Sequence, residues 1–231
     1  MILAGNQPYF LPYIGYFQLI NIADRFIIDD TLQYVNKGWI NRNRILCNGK
    51  IKLFTLPLIN ISRSNSISNF YLTDFNNEYF IKLITHSYCK APFFYDVFPL
   101  FKEILSYSQK QLNYFLLNSL QITCDYLGIT TPLILNSERN DITDLRKEER
   151  VIYLCKSLKA KTCINAIGGQ TLYSKENFAK EGITLKFIKP ELTPYKQLRT
   201  QEFVPALSIL DVMMNVPRDE IREMLNHYSL I

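Results

Sequence analysis

Residues 1–30, MILAGNQPYFLPYIGYFQLINIADRFIIDD, decide how the chain folds. The apolar lead-in Met1–Ala4 reads as the start of a buried strand, interrupted by Gly5 and Pro8. From Gly15 to Ala23, the residues Tyr16, Leu19, Ile20 and Ala23 recur at helical spacing and give one apolar face. RFIIDD at 25–30 is a short apolar run closed by two carboxylates and reads as a second strand. Strand, turn, helix and strand in so short a span is the layout of a βαβ unit with a parallel pair, whose loops gather at the carboxyl end of the sheet. The turn at 5–17 and the pair Asp29–Asp30 are therefore expected on one sheet edge.

Within that turn, Pro8 and Pro12 each fix a φ angle and push Gln7 and Leu11 toward extended conformations. Gly15 permits an unusual backbone or a close approach by a ligand. Two readings of its aromatics stay open. Tyr9, Phe10, Tyr13, Tyr16 and Phe17 wall a pocket for a sugar or a base, with Gln7 as donor and acceptor, or they pack a rigid corner into the core. Adjacent side chains on an extended chain point to opposite faces, so at most one of Asp29 and Asp30 faces a given pocket. There it could bind magnesium, accept sugar hydroxyls or act as a base; the plain alternative is an acidic turn.

Beyond residue 30, Asn48-Gly49 between RIL and KIKLFTLPL is a hairpin signal, and the polar stretch NISRSNSISN at 60–69 reads as a loop or lid. KGWINRNR carries Lys37, Trp39, Asn41, Arg42, Asn43 and Arg44. Arg42 and Arg44 share a strand face and suit phosphate, beside an indole that can stack a ring; a solvated basic strand is the alternative. Residues 76–127 turn helical, with Leu112, Phe115, Leu116, Leu120 and Leu127 in a stripe, Pro92 and Pro99 as punctuation and Gly128 as a stop. TPLILNSE, KTCINAIGG and ITLKFIKP read as strands, Asp141 to Lys159 as a helix with RKEER toward water, and Ser174 as the cap of a short helix closing at Gly182. The expected architecture is one α/β domain over 1–231, Rossmann-like, a mainly parallel sheet flanked by helices with a helical insertion at about 76–127.

Composition narrows the function classes. Five cysteines without a CxxC pair argue against a disulfide framework or a structural zinc site and fit a reducing cytoplasm; their neighbours are apolar or aromatic, so all five read as core. No charged n-region with an apolar h-region opens the chain, and no window approaches the ~20 apolar residues of a membrane span. A net charge of +5 is too small to imply nucleic acid. His86 and His227 are the only histidines; His86 with Lys90 could line a pocket, and no metal pattern is present. Ser208 and Asp211, three apart and without a nearby histidine, read as a buried hydrogen-bonded pair rather than part of a triad.

QPYFLPYIGYF, ADRFIIDDTLQYVNKGWINRNRI, TLPL, YCKAPFF, EERVIYLCKSLKAKTCINAIGG and YKQLRTQEFVPALSILDVMMN together resemble the WbqC-like family over most of the chain. The resemblance implies bacterial surface-polysaccharide (O-antigen) biosynthesis and a transferase that moves an acyl or aminoacyl group, such as glycine, to a nucleotide-linked amino sugar. Asn6 stands where the family opening usually has histidine, so binding rather than proton transfer is expected of the turn. On this reading Asp30 and Gln7 are the catalytic candidates. Asn6, Tyr9, Tyr13, Gly15, Asp29, Gln33, Lys37, Trp39, Asn41, Arg42, Arg44, His86 and Gln197 bind substrate. A second resemblance, to nucleotidyltransferase-type α/β folds, implies ATP and magnesium and an adenylated or nucleotidylated intermediate. A non-catalytic nucleotide-sugar-binding protein is the third possibility. The expected partners are small molecules (a nucleotide sugar and an acyl or amino-acid donor), with a homodimer as a further possibility.

Overall fold

A computed structural model describes residues 1–60, 65–74, 76–139 and 145–231. The polar segment at 60–69 falls partly outside them, at 61–64, as does the start of the helix expected from 141.

The first strand β1 (Ile2–Asn6) runs through α1 (Ile14–Asn21) to β2 (Arg25–Ile28), and the two strands pair in parallel with Leu3 opposite Arg25 and Asn6 opposite Ile28. A hairpin follows, β3 (Arg42–Cys47) and β4 (Lys50–Thr55), turning at Asn48 (φ 51°) and Gly49 (φ 73°). Two successive left-handed residues make the turn whose twist matches paired strands. Two three-residue strands, β5 (Leu58–Asn60) and β6 (Phe70–Leu72), form a second ribbon. The helical segment is three helices, α2 (Asn77–Tyr88), α3 (Phe94–Ser106) and α4 (Leu112–Leu127), the last closed by Gly128 at φ 77°. Pro99 lies inside α3 rather than ending it.

Strand and helix then alternate through β7 (Leu133–Leu135), α5 (Lys147–Ser157), β8 (Thr162–Ala166), α6 (Lys175–Lys180) and β9 (Thr184–Pro190). The chain finishes with α7 (Ile209–Asn215), α8 (Arg218–Met224) and β10 (Tyr228–Leu230). The strands order as β10-β9-β8-β1-β2-β7, parallel except for β10 against β9. A mainly parallel sheet is buried on both faces, and here the alternation of side chains divides two cores. Ala4, Phe26, Ile28 and Ile164 face one cluster with α1, α4 and α7, which also takes in the helical segment. Leu3, Ile27, Cys163 and Leu185 face the other, with Leu154 and Cys155 of α5 and Phe178 of α6.

From β1 the chain moves outward to β2 and then β7, and only afterwards crosses to β8 on the other flank of β1. That reversal opens a crevice between the carboxyl ends of β1 and β8, the place where open α/β sheets bind ligands. Three local expectations change. Leu11 is not extended but left-handed, at φ 45°, because Asn43 Nδ2 and Ser208 Oγ both donate to its carbonyl, at 2.7 and 2.8 Å. Ser208 and Asp211 do not pair through their side chains: Ser208 caps α7 and donates to Leu11, while Asp211 joins a separate network. Cys124, Cys155 and Cys163 are core residues as expected, but Cys89 is exposed and Cys47 half-buried.

Candidate functional site

At the crevice lies a cleft of about 550 Å³, open to solvent, with Asn6, Gln7, Asp29, Asn165 and Tyr173 as its polar lining. Gly5 brings the strands together there, since a Cβ would meet the Ile27 carbonyl oxygen at 2.9 Å. Asn6 ends β1 and Asn165 precedes the last residue of β8; each accepts the next backbone N–H on its Oδ1, from Gln7 and Ala166, both at 2.8 Å. This fixes both carboxamides by the same local turn. Gln7 is held by its carbonyl, which accepts the Tyr16 hydroxyl at 2.9 Å.

Asp29 and Asp30 separate as adjacent residues on an extended chain should. Asp29 faces the cleft. Its N–H donates to the Asn6 carbonyl at 2.9 Å, and its carboxylate accepts Thr31 Oγ1 at 3.2 Å and Asn136 Nδ2 at 3.1 Å and pairs with Arg150. Burial pushes its carboxyl above the usual carboxylate range, and Arg150 and the two hydrogen bonds only partly offset this. Asp30, the expected catalytic carboxylate, turns the other way and is fully buried. It accepts Asn113 Nδ2 at 2.8 Å, the Ser137 N–H at 2.9 Å and the Ser137 hydroxyl, so its oxygens are occupied away from the cleft.

The five aromatics of the turn divide between the two readings. Phe10, Tyr16 and Phe17 pack into the core. Tyr9 and Tyr13 wall a second hollow of about 470 Å³ with Pro12, Trp39, Arg44 and Ala206. A third, of about 560 Å³, is lined by Asn6, Tyr9, Tyr13 and Gly168 among others; it shares Asn6 with the cleft and Tyr9 and Tyr13 with the aromatic hollow. Gly15, which also lines the third hollow, is required for packing: its Cβ would lie 2.7 Å from both the Tyr13 Cζ and the Pro190 Cγ. Gly15→Ala is therefore expected to displace the Tyr13 ring and lower the urea midpoint, by about 1–2 kcal/mol of overpacking after the gain in helix propensity. An unchanged midpoint would contradict this packing.

Arg42 and Arg44 share a face of β3, with guanidinium carbons 5.8 and 5.3 Å from the Trp39 ring centroid. Arg42 donates to the carbonyls of Gly38 and Lys37, holding the turn in which Lys37 is left-handed at φ 60°. Arg44 donates to the Ala206 carbonyl at 3.0 Å.

Four other expected binding residues sit elsewhere. Asn41 is buried between the Leu56 carbonyl and the Tyr34 hydroxyl, where it pins β3. Gln33 is exposed and bridges Ser66 through its backbone. His86 is exposed on α2, 2.9 Å from the Asn48 amide at the hairpin turn. Gln197 is buried in a network on Asp211, which accepts Tyr88 OH at 2.7 Å, Tyr195 OH at 2.8 Å and Gln197 Nε2 at 3.2 Å.

Four residues in or beside the cleft escaped the reading of the sequence. Arg150, read with RKEER as water-facing, folds back onto Asp29 with its side chain only 16% exposed. Glu148 of the same run accepts the Ser174 N–H and the Asn177 amide. Asn165 carried a signal, an Asn at the close of a strand just as Asn6 closes β1; Tyr173 carried none. Among the described residues, no group of three or more His, Cys, Asp or Glu could hold a metal ion. None of the described helices is long and apolar enough to cross a membrane.

Comparison with known proteins bears on this site. The chain is 31% identical over 222 residues, 93% of each chain, to the uncharacterized protein Rv1507c of Mycobacterium tuberculosis (strain ATCC 25618 / H37Rv). No solved structure matches it. The WbqC-like protein family matches residues 7–223, from Gln7 of the cleft to the last turn of α8. The chain belongs to the WbqC-like protein family.

Proposed function

We propose that the protein is an enzyme of bacterial surface-polysaccharide (O-antigen) biosynthesis that moves an acyl or aminoacyl group, of the glycine type, onto the amine of a nucleotide-linked amino sugar. Membership of the WbqC-like protein family supports this reading only through the setting that the resemblance implies. The observation that carries the chemistry is the cleft itself, where a half-buried carboxylate with a raised pKa meets two backbone-fixed carboxamides.

Transfer to an amine requires removal of a proton and stabilisation of the oxyanion on the attacked carbonyl. Asp29 takes the proton as the amine nitrogen bonds to the acyl carbon; the bond from that carbon to the donor's leaving group breaks, and the leaving group departs with the proton. The Asn6 carboxamide donates to the oxyanion, and Gln7 orients the sugar hydroxyls. Asn6 does not titrate, which fits it to binding. A nucleotide-linked substrate places the reaction in the cytoplasm.

The test is a thermal-shift and mass-spectrometric screen of UDP-linked amino sugars with acyl and aminoacyl donors. Sugar and donor together are expected to raise Tm more than either alone, and an N-acylated sugar is expected to form. Tight sugar binding with no product from any donor class would replace the enzyme with a binding protein.

A second reading, an ATP-dependent nucleotidyltransferase or ligase, is favoured by the position of the cleft at the switch point of the sheet, where such folds hold nucleotides. Among the described residues Asp29 is the one carboxylate lining the cleft, enough for a magnesium ion that arrives on substrate phosphates. ATP with magnesium should then raise Tm by several degrees, and a flat response removes this reading.

A further inference from the structure

We propose that Arg44, Trp39, Tyr9 and Tyr13 form a preorganised subsite for an oxyanion whose molecule also carries a flat ring, separate from the cleft that holds Asp29. The first observation is an unmet donor. Arg44 Nη2 is engaged by the Ala206 carbonyl, but its Nε is buried with no hydrogen-bond partner. Buried donors are nearly always paired, and this one belongs to a side chain that lines the hollow, which makes an acceptor bound there the partner it lacks.

The second observation is charge. Among the described residues no carboxylate lies within ion-pair distance of Arg44, whereas Arg150 has Asp29. A partly buried guanidinium without a counter-charge favours an arriving anion. Arg42 is different: its donors are engaged by Gly38 and Lys37, which makes it a brace for the turn and leaves ligand contact to Arg44.

The third observation is the construction of the walls. Ala206 (φ 54°), which lines the hollow, and Leu11 (φ 45°), next to the lining residue Pro12, are non-glycine residues in left-handed backbone. Such strain persists only where its surroundings over-determine it, and it clusters at ligand clamps. Here the Ser208 N–H donates to the Arg44 carbonyl at 2.8 Å and the Ile209 N–H to the Pro12 carbonyl at 2.9 Å, lacing three distant segments around one space. Trp39, 42% exposed, offers a ring face, and the Tyr9 and Tyr13 hydroxyls make no hydrogen bond among the described residues.

The identity of the oxyanion rests on the proposed function, which makes it a phosphate of the nucleotide carrier with the base against Trp39; a ring-borne carboxylate presents the same chemistry. Trp39 is the chain's single tryptophan, so its emission, excited where tyrosine does not absorb, reports this hollow alone. The protein is titrated with UDP, uridine and benzoate. UDP is expected to quench saturably and uridine about tenfold more weakly, since uridine leaves the Arg44 Nε unmet. R44K keeps the charge but loses the planar fork and is expected to weaken UDP about tenfold. Far-UV circular dichroism and Tm establish that the variant is folded.

Quenching by benzoate instead, dependent on Arg44, keeps the subsite and identifies its ligand as a carboxylate. Quenching by none of the probes, or quenching that R44K leaves unchanged, overturns the proposal. So does equal binding of uridine and UDP. Because the readout is binding, Arg44-dependent quenching without any acyl transfer would sink the proposed function and leave the subsite standing.

Discussion

Asp30→Ala is expected to destabilise the fold by about 4 kcal/mol, from the unmet demands of one buried and two part-buried donors. The donors are Asn113 Nδ2 on α4 and the backbone N–H and hydroxyl of Ser137, just beyond β7. Asn113 cannot turn to water because it and Asp30 are buried, and the Ser137 contacts are partly buried. At about 2–4 °C per kcal/mol for a chain of this length, Tm should fall by roughly 10 °C. The loss should also spread to the cleft. Ser137 follows Asn136, and Asn136 donates to Asp29 at 3.1 Å, so releasing Ser137 loosens a contact that orients the cleft carboxylate. Urea unfolding at neutral pH is the measurement, and a midpoint within error of the wild type would show that Asp30 does not tie the helical segment to the sheet.

The contrast between these two aspartates marks how far the sequence can be read. The parallel pair was legible in residues 1–30, because apolar strand, helical spacing and a second apolar run leave few other ways to bury the same surface. That Asp29 and Asp30 would point apart was legible too, from the two-residue period of an extended chain. Which of them would face the cleft was not: it depends on Asn113 and Ser137, more than 80 residues away, which claim Asp30. The same limit explains Arg150. Its run of charges has the composition of a solvated face, and only the packing of α5 beside β1 and β2 turns one of them onto Asp29. Leu11 shows it in the backbone: a residue before proline is pushed toward extended angles by local sterics, and two buried hydrogen bonds from β3 and the α7 cap override them. The short strands β5, β6 and β10, three residues each, are below the length at which any period can be read.

Asp29→Asn is expected to do the reverse of Asp30→Ala, removing activity while leaving the fold in place. Under the proposed function Asp29 is the proton acceptor, and loss of a positioned base lowers kcat by about 10²–10⁴-fold. Its stability effect follows from the direction of its pKa. A carboxyl raised in the folded state contributes stability that is fully present below its unfolded pKa and is lost as pH rises through the folded value. Burial outweighs Arg150, Thr31 and Asn136 at this site, so ionised Asp29 lends no net stability at neutral pH. The isosteric amide keeps an oxygen for those three donors, and the variant should unfold within about 1 kcal/mol of the wild type. The wild-type rate should rise with pH along an acidic limb set above the usual carboxylate range, and Asp29→Asn should lack that limb. If Asp29→Asn retains full turnover and the same acidic limb, the base lies elsewhere; if instead it unfolds as readily as Asp30→Ala, the Asp29–Arg150 pair is structural.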